Sequence, residues 1–384
     1  MKITPQNWKI VKIGDVCKTN QQNYSPSEKW PFVDYLDTGN ITENHIDKIQ
    51  HFTIGKDALP SRARRKITID DVIYSAVRPN QKHYGIIKEI LPNMLVSTGF
   101  IVITANKSVV YPDFLYYYLI QDEITDALQA IGEQSVSTYP TIKPSDLEDV
   151  KIALPPLSEQ IKIGLTLRTL DDKITNNRKI NHHLERIARA IWAEQFGNAE
   201  PNGVLNDIIE LFDFRRVPLS NNRRSKMEKI YPYYGAATLV DHVDDYLFDG
   251  TYLLLGEDGT VIDDCGFPVL QYVWGKFWVN NHAHIIQGRN GFTVDSLCIL
   301  LKQTNVTSIV TGAVQPKINQ ESLKALKVFI PSAEEIEQFN TLINPFFTQI
   351  RNNCDENRNL VTLRDTLLSS LMTGELFVND YDDK

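Results

Sequence analysis

Long apolar runs are missing from this sequence. None of its 384 residues falls in a stretch of the ~18 apolar residues that a membrane-spanning helix requires. The N-terminus, MKITPQNWKI, has no apolar signal-peptide core, so the chain reads as cytoplasmic with no membrane partner. Cysteine is scarce as well: Cys17, Cys265, Cys298 and Cys354 stand apart with no CxxC pair, which removes a zinc ribbon and a disulfide framework. Histidine clusters once, in HAH at His282 to His284, and that alternation reads as strand residues facing one way; no metal site is expected. A P-loop, a dinucleotide-binding glycine fingerprint and a GxSxG elbow are all absent.

Three fragments suggest chemistry and fail on context. NPFF at Asn344 to Phe347 resembles an amino-methyltransferase motif but lacks its second proline and a glycine-rich strand upstream. Pro112-Asp113 could open a nuclease motif, yet Glu123 is not followed by the required lysine. GEDG at Gly256 to Gly259 offers two carboxylates to a cation, but reads first as a hairpin turn. No catalytic residue is assigned.

Positive charge is in deficit overall, with a net charge of −8, a mild argument against nucleic acid as a partner. It is concentrated, however. RARRKITIDDVIYSAVRPNQKHYGIIK, Arg62 to Lys88, carries seven Lys/Arg against two Asp, and RRVPLSNNRRSKMEK, Arg215 to Lys229, is a second basic run. Both contain amides and adjoin aromatics, the mixture that holds phosphates and reads base edges.

What the sequence does have is a repeat. KIALPPLSEQ from Lys151 and KVFIPSAEEI from Lys327 share one grammar: Lys, apolar run, Pro, acidic helix start. Pro140 and Pro316, Ile142 and Ile318, Leu147 and Leu323, Ile174 and Ile350, and Leu184 and Leu360 all keep the same offset of 176. One offset held over this distance means internal duplication, with a period too long for a solenoid. After Pro155 the seam Ile163, Leu167, Leu170, Ile174, Asn177, Asn181, Leu184, Ala188, Ile191 is spaced 4,3,4,3, a heptad pattern. The second copy runs Phe339, Ile343, Phe346, Ile350, Asn353, Asn357, Leu360, Leu363, Leu367. Asparagines at matching central positions predict that the two helices pair and fix their register through Asn177, Asn181, Asn353 and Asn357. Each helix of roughly 38 residues would be about 57 Å long.

The blocks around them read as short β runs with one helix each, YPDFLYYYLIQDEITDALQAI in the first and TVDSLCILLKQTN in the second. The expected fold is therefore α+β: two β-rich domains in a pseudo-twofold arrangement, separated by two long antiparallel α-helices that form a coiled-coil spacer. The boundaries fall at 1–153, 154–198, 199–329 and 330–375, with an acidic tail over 376–384. On the residues alone a stand-alone DNA methyltransferase or nuclease, and a coiled-coil adaptor that binds only protein, remain open beside a DNA-reading subunit.

Taken in order, WKIVKIGDV, VDYLDTGNI, DDVIYSAVRPN with VSTGF, LPPLSEQIKI, YPYYGAATLVDHVDDYLFDGTYLLLGEDG, VNNHAHII and LRDTLLSSLMTGEL resemble the specificity subunit of type I restriction–modification systems over essentially the whole chain. The resemblance implies two target-recognition domains, each reading one half of a bipartite, asymmetric site in double-stranded DNA, with the helices setting the gap. It implies two modification subunits docked on the helices, which bind S-adenosylmethionine and methylate adenine N6, and restriction (nuclease/translocase) subunits able to join them. The chain itself would bind no cofactor and catalyse nothing. By the same pattern the DNA-binding residues are Arg62, Arg64, Arg65, Arg78 and Lys82 in block one, and Arg215, Arg216, Arg223, Arg224, Tyr233 and Tyr234 in block two. Thr138 and Tyr139, Val314 and Gln315, and Lys317 join them around the twin prolines Pro140 and Pro316.

Overall fold

A computed structural model describes residues 8–135, 138–312 and 315–378. Val314 and most of the acidic tail, 379–384, lie outside the described residues. The chain divides into two compact units, one of residues 1–175 with 357–384, the other of residues 176–356.

In the first unit the apolar, β-branched runs VIYS (Val72–Ser75) and FIVITA (Phe100–Ala105) become neighbouring strands, largely buried, as such runs do when both faces of a sheet are covered. They form an antiparallel sheet in the order Cys17–Thr19, Phe100–Ala105, Val72–Ser75, Tyr84–Ile86. A second sheet runs Gln50–Thr53, Phe32–Leu36, Met94–Ser97, Ala63–Arg65, its central pair parallel and its outer pairs antiparallel. The second unit repeats both. Its antiparallel sheet is Ile209–Leu211, Ala283–Gly288, Tyr252–Gly256, Leu270–Val273, and its mixed sheet is Leu239–Val243, Tyr231–Tyr234, Lys276–Val279, Phe248–Asp249, again with a parallel centre. A two-stranded clip closes each block: Lys9–Lys12 with Lys151–Leu154, and Gly203–Val204 with Lys327–Val328.

The long helices are Leu157–Phe196 and Ala333–Thr373. The second starts with a reciprocal cap, in which Ser332 N–H donates to Glu335 Oε2 (2.8 Å) and Glu335 N–H to Ser332 Oγ (3.4 Å). At the start of the first, Gln160 is buried, taking a bond from Tyr111 N–H (2.9 Å) and donating to the carbonyls of Val109 and Pro155. The position 176 residues on is Ile336, equally buried, so one copy solves that contact with an amide and the other with an alkyl group. NPFF lies inside the second helix, where Phe347 is core.

Each half of each helix belongs to a unit's core. Ile163, Leu167, Leu368, Leu371 and Met372 pack with the first unit's antiparallel sheet, while Ala188, Trp192, Phe196, Phe339 and Ile343 pack with the second's. Within the second unit Asn353 Nδ2 donates to Asn181 Oδ1 (2.8 Å) and Asn177 Nδ2 to Glu356 Oε2 (2.6 Å). Asn181 Nδ2 also reaches Ile350 O, and within the first unit Asn357 Nδ2 reaches Ile174 O, both at 3.4 Å. These last two bonds are one another's copies at the offset of 176. In both units the partners' numbers fall along one helix as they rise along the other, so the pairing is antiparallel.

Two details differ from the sequence reading. Leu363 is 47% exposed, and the seam passes through Arg364 instead, which meets Asp171. The single helix expected from Tyr111 is two, Pro112–Leu119 and Asp122–Glu133, because Gln121 breaks the helical backbone at φ −59, ψ 139 and starts the second.

Candidate nucleic-acid interface

One end of each antiparallel sheet collects loops from distant parts of the chain. In the first unit, Ala76 N–H donates to Gly99 O (2.8 Å), Ile142 N–H to Ala76 O (2.8 Å) and Arg78 N–H to Pro140 O (2.8 Å). The turn after strand Val72–Ser75 is thus tied to the 98–99 turn and to the segment holding Tyr139 and Thr138, both exposed. Thr98 N–H donates to Arg62 O, and Tyr24 N–H to Arg64 O, bringing the basic run and Asn20 to Asn23 to the same end. The second unit repeats the pattern: Ile318 N–H donates to Glu257 O (2.9 Å), Gly259 N–H to Pro316 O (3.1 Å), and Phe212 N–H to Ile285 O (2.8 Å), where Asn20 N–H meets Val102 O in the first.

The basic residues at these ends differ in what they have to spare. Arg62 is exposed, Arg64 half-buried, and Arg78 stacks its guanidinium 4.3 Å over the Tyr139 ring. Arg65 is turned inward: it donates to Asn23 Oδ1 (3.0 Å), its Nε is buried without an acceptor, and burial lowers its pKa. Lys82 is engaged by Asp122 (2.8 Å) and Glu43 (3.5 Å), which raise its pKa against the opposing effect of burial. In the second unit Arg223 is exposed on the short helix Asn221–Arg224, and Arg215 stacks 4.6 Å from Phe248. Arg224 is occupied by Asp241, by Leu219 O and by the Tyr233 ring at 4.7 Å. Tyr233 itself is corrected. At 1% exposure, with its hydroxyl taking Leu219 N–H, it is a core residue, because the alternation of strand Tyr231–Tyr234 turns it inward. Tyr234 is half-buried edge-on to Phe277, and Gln315 is exposed.

Arg216 and Lys317 enter a network. Arg216 Nη1 lies 2.6 Å from Glu257 Oε2, Lys317 Nζ 3.3 Å from Glu257 Oε1, and His284 Nδ1 2.6 Å from Asp213 Oδ2, while His284 Nε2–H donates to Ile318 O (2.8 Å). Ile285 N–H and Gln320 Nε2 also donate to Asp213. Asp213, Glu257 and His284 could approach a cation, but the protein's own cations and donors already engage these atoms. GEDG is accordingly not a simple hairpin: Glu257 anchors the network, and Asp258 bridges to Lys317 and pairs with His282.

Burial pushes the Asp213 carboxyl up, yet the His284 bond, the Ile285 N–H and Arg216 outweigh it and hold its pKa below the ordinary value. A lowered carboxylate pKa means stability that is present above the unfolded value of ~3.9 and lost as pH falls below it. Asp213→Asn should therefore destabilise this unit at neutral pH, by about 1–3 kcal/mol, and flatten its acid limb. Hydrogen exchange of strand Tyr252–Gly256 between about pH 3 and 7 measures both.

Sequence reasoning passed over Phe214, 82% exposed between Asp213 and Arg215, and the amides Gln21, Gln22 and Asn23 at the matching place in the first unit. A large aromatic in a run of charges, and four consecutive amides in NQQN, were the available signals.

Comparisons with known proteins agree on a family. The family model described as the type I restriction modification DNA specificity domain matches residues 5–186 and 203–360. The type I restriction enzyme MjaIX specificity subunit of Methanocaldococcus jannaschii is 25% identical over 426 residues, covering 98% of this chain and 95% of that one. The HindI specificity subunit of Haemophilus influenzae is 33% identical over 197 residues, 51% of this chain but only 42% of that protein's length. In fold, the chain is similar to the S subunit of a type I restriction–modification system from M. genitalium, with a TM-score of 0.56, 16% identity and 99% of each chain covered.

Proposed function

Because the chain belongs to the DNA specificity family of type I restriction–modification systems, we propose that each of its two units reads one half of a bipartite site in double-stranded DNA. The recognition domains are 1–153 and 199–329, and the spacer helices 154–198 and 330–375 set the distance between half-sites. Two modification subunits dock on those helices and bring S-adenosylmethionine and the methyl transfer; the same assembly can be joined by restriction subunits. The chain works in the cytoplasm, and among the described residues no helix is long and apolar enough to cross a membrane.

The observation that carries this reading is the repetition of one loop cluster at the same end of the same sheet in both units. Each cluster presents exposed cationic and amide side chains: Arg62 and Gln22 in the first, Arg215, Arg223 and Gln315 in the second. Phosphates take the charge without regard to sequence, while guanidinium and amide groups distinguish base edges. Only two surfaces need be basic, which reconciles DNA binding with a net charge of −8.

The test is to sequence methylated adenines in DNA from cells with and without the chain. A bipartite motif that disappears with it is the expected result. Methylation by the purified chain alone would make it an enzyme, and a full complex retaining all duplexes equally would make it a protein-only adaptor. Seven residues inserted in each long helix, after Thr175 and after Glu356, preserve the heptad phase and lengthen it by about 10 Å. The gap between half-sites should then grow by about three base pairs. An unchanged gap would mean that the helices do not set it.

A further inference from the structure

We propose that Arg78 reads a guanine in the half-site of the first unit, and that Tyr139 positions it to do so; the inference rests on the DNA-reading function above. Arg78 occupies left-handed backbone, φ 49 and ψ 67, which a residue with a Cβ adopts only at a cost that glycine avoids. Its surroundings impose that conformation. Its N–H is bound to Pro140 O, Val77 before it bridges to Thr141, and Pro79 follows as the first residue of a 3-10 turn.

The second unit makes the same turn with glycine. Gly259, at φ 85, donates its N–H to Pro316 O as Arg78 does to Pro140 O. Where one copy of the turn uses the residue its backbone favours, the other holds an arginine against that preference. The backbone gives no reason for the arginine, so the reason lies in its side chain.

That side chain is poised and unspent. The guanidinium carbon lies 4.3 Å from the centroid of the Tyr139 ring, and Tyr139 is 51% exposed, so the stack sits at the surface. Among the described residues no acceptor takes a bond from the Arg78 guanidinium. Arg65, Arg216 and Arg224 all spend theirs inside the protein. Stacking on a ring covers one face of a guanidinium and leaves its edge of N–H donors free, fixed in direction. Two parallel donors on a rigid plane match N7 and O6 of guanine in the major groove, the commonest specific contact between a protein and a base. Lys82, three residues after Pro79, is held by Asp122 and Glu43 and does not share the task. Gly259 offers no side chain at the matching place, so the second unit reads its half-site by other residues.

The full chain in complex with its modification subunits would be presented with duplexes randomised over the target, and the bound fraction sequenced. Arg78→Gly should fold at least as well as the parent, since glycine is what this turn takes in the second unit; thermal unfolding checks that. Preference for guanine at one position of one half-site should fall about tenfold to a hundredfold, with the other positions, the gap and the second half-site intact. Arg78→Lys, which keeps the charge and loses the fork, should behave like Arg78→Gly in sequence preference. Tyr139→Phe should retain the preference, and Tyr139→Ala should weaken it at that position alone. An unaltered preference in Arg78→Gly overturns the proposal. So does a uniform loss of affinity for all sequences with a shallower salt dependence, which marks a phosphate contact. If the unmodified complex selects no bipartite sequence, the DNA-reading function fails first and this inference with it.

Discussion

Exchanging residues 203–328 for the matching block of a family member with a different target is expected to rewrite one half of the methylated motif and leave the other half and the gap unchanged. The fold sets the cut sites. Gly203–Val204 pairs with Lys327–Val328, so both ends of the block leave from one clip, and all strands of the two larger sheets between them pair within the block. A cut at Arg215 and Lys317, the limits of the basic residues, would instead sever Ile209–Leu211 from its partner Ala283–Gly288 and part Asp213 from His284. The graft must keep the apolar face that meets Trp192, Phe196, Phe339 and Ile343, which here includes Leu297, Ile299 and Leu323. With that face preserved, methylated adenines from cells carrying the hybrid should define a motif with one new half. A motif altered in both halves, or in neither, would refute independent reading by the two units.

The repeat, the two helix seams and the basic runs were legible because each is a regularity in the order of letters: a fixed offset, a period of 3.5 and a cluster of like charges. What the sequence concealed is long-range pairing. Arg216 and Arg224 read as free cations, yet Glu257 and Asp241, 41 and 17 residues away, claim them. Tyr233 read as surface because basic residues precede it, whereas a strand alternates and points every second residue inward. Counting apolar letters carried the second seam to Leu363, since nothing local marks Arg364 as the residue that Asp171 would receive. The parallel pairing of Phe32–Leu36 with Met94–Ser97 has no local signature at all, for the two strands are far apart in sequence and their partners are set by the fold.

Arg364 and Asp171 also allow the second large effect to be anticipated. Arg364 Nη1 lies 2.8 Å from Asp171 Oδ1, Tyr117 donates its hydroxyl to Asp171 Oδ2 (2.7 Å), and both ion-pair side chains are 19% exposed. Burial works against the guanidinium's charge, but Asp171 and Asp365 more than offset it and raise its pKa. The positions 176 residues from these two are Phe347 and Ala188, both buried in the second unit's core. One chain thus contains an ion pair and its apolar replacement at copies of the same contact. Removing one partner of a largely buried pair strands the other charge and costs about 3 kcal/mol, whereas replacing both by apolar groups of matching shape is often neutral or better. Asp171→Phe should therefore destabilise the first unit by about 3 kcal/mol, and Arg364→Ala by a similar amount. The double variant Asp171→Phe, Arg364→Ala, which copies the second unit's pair but leaves the buried Tyr117 hydroxyl without its acceptor, should recover part of that loss. Two units need not unfold together, so the measurement is hydrogen exchange under urea, read at Phe100–Ala105 for the first unit and Tyr252–Gly256 for the second. Losses at Phe100–Ala105 that simply add in the double variant would show that the two side chains are energetically independent, and that their pairing across the helices contributes nothing to the fold.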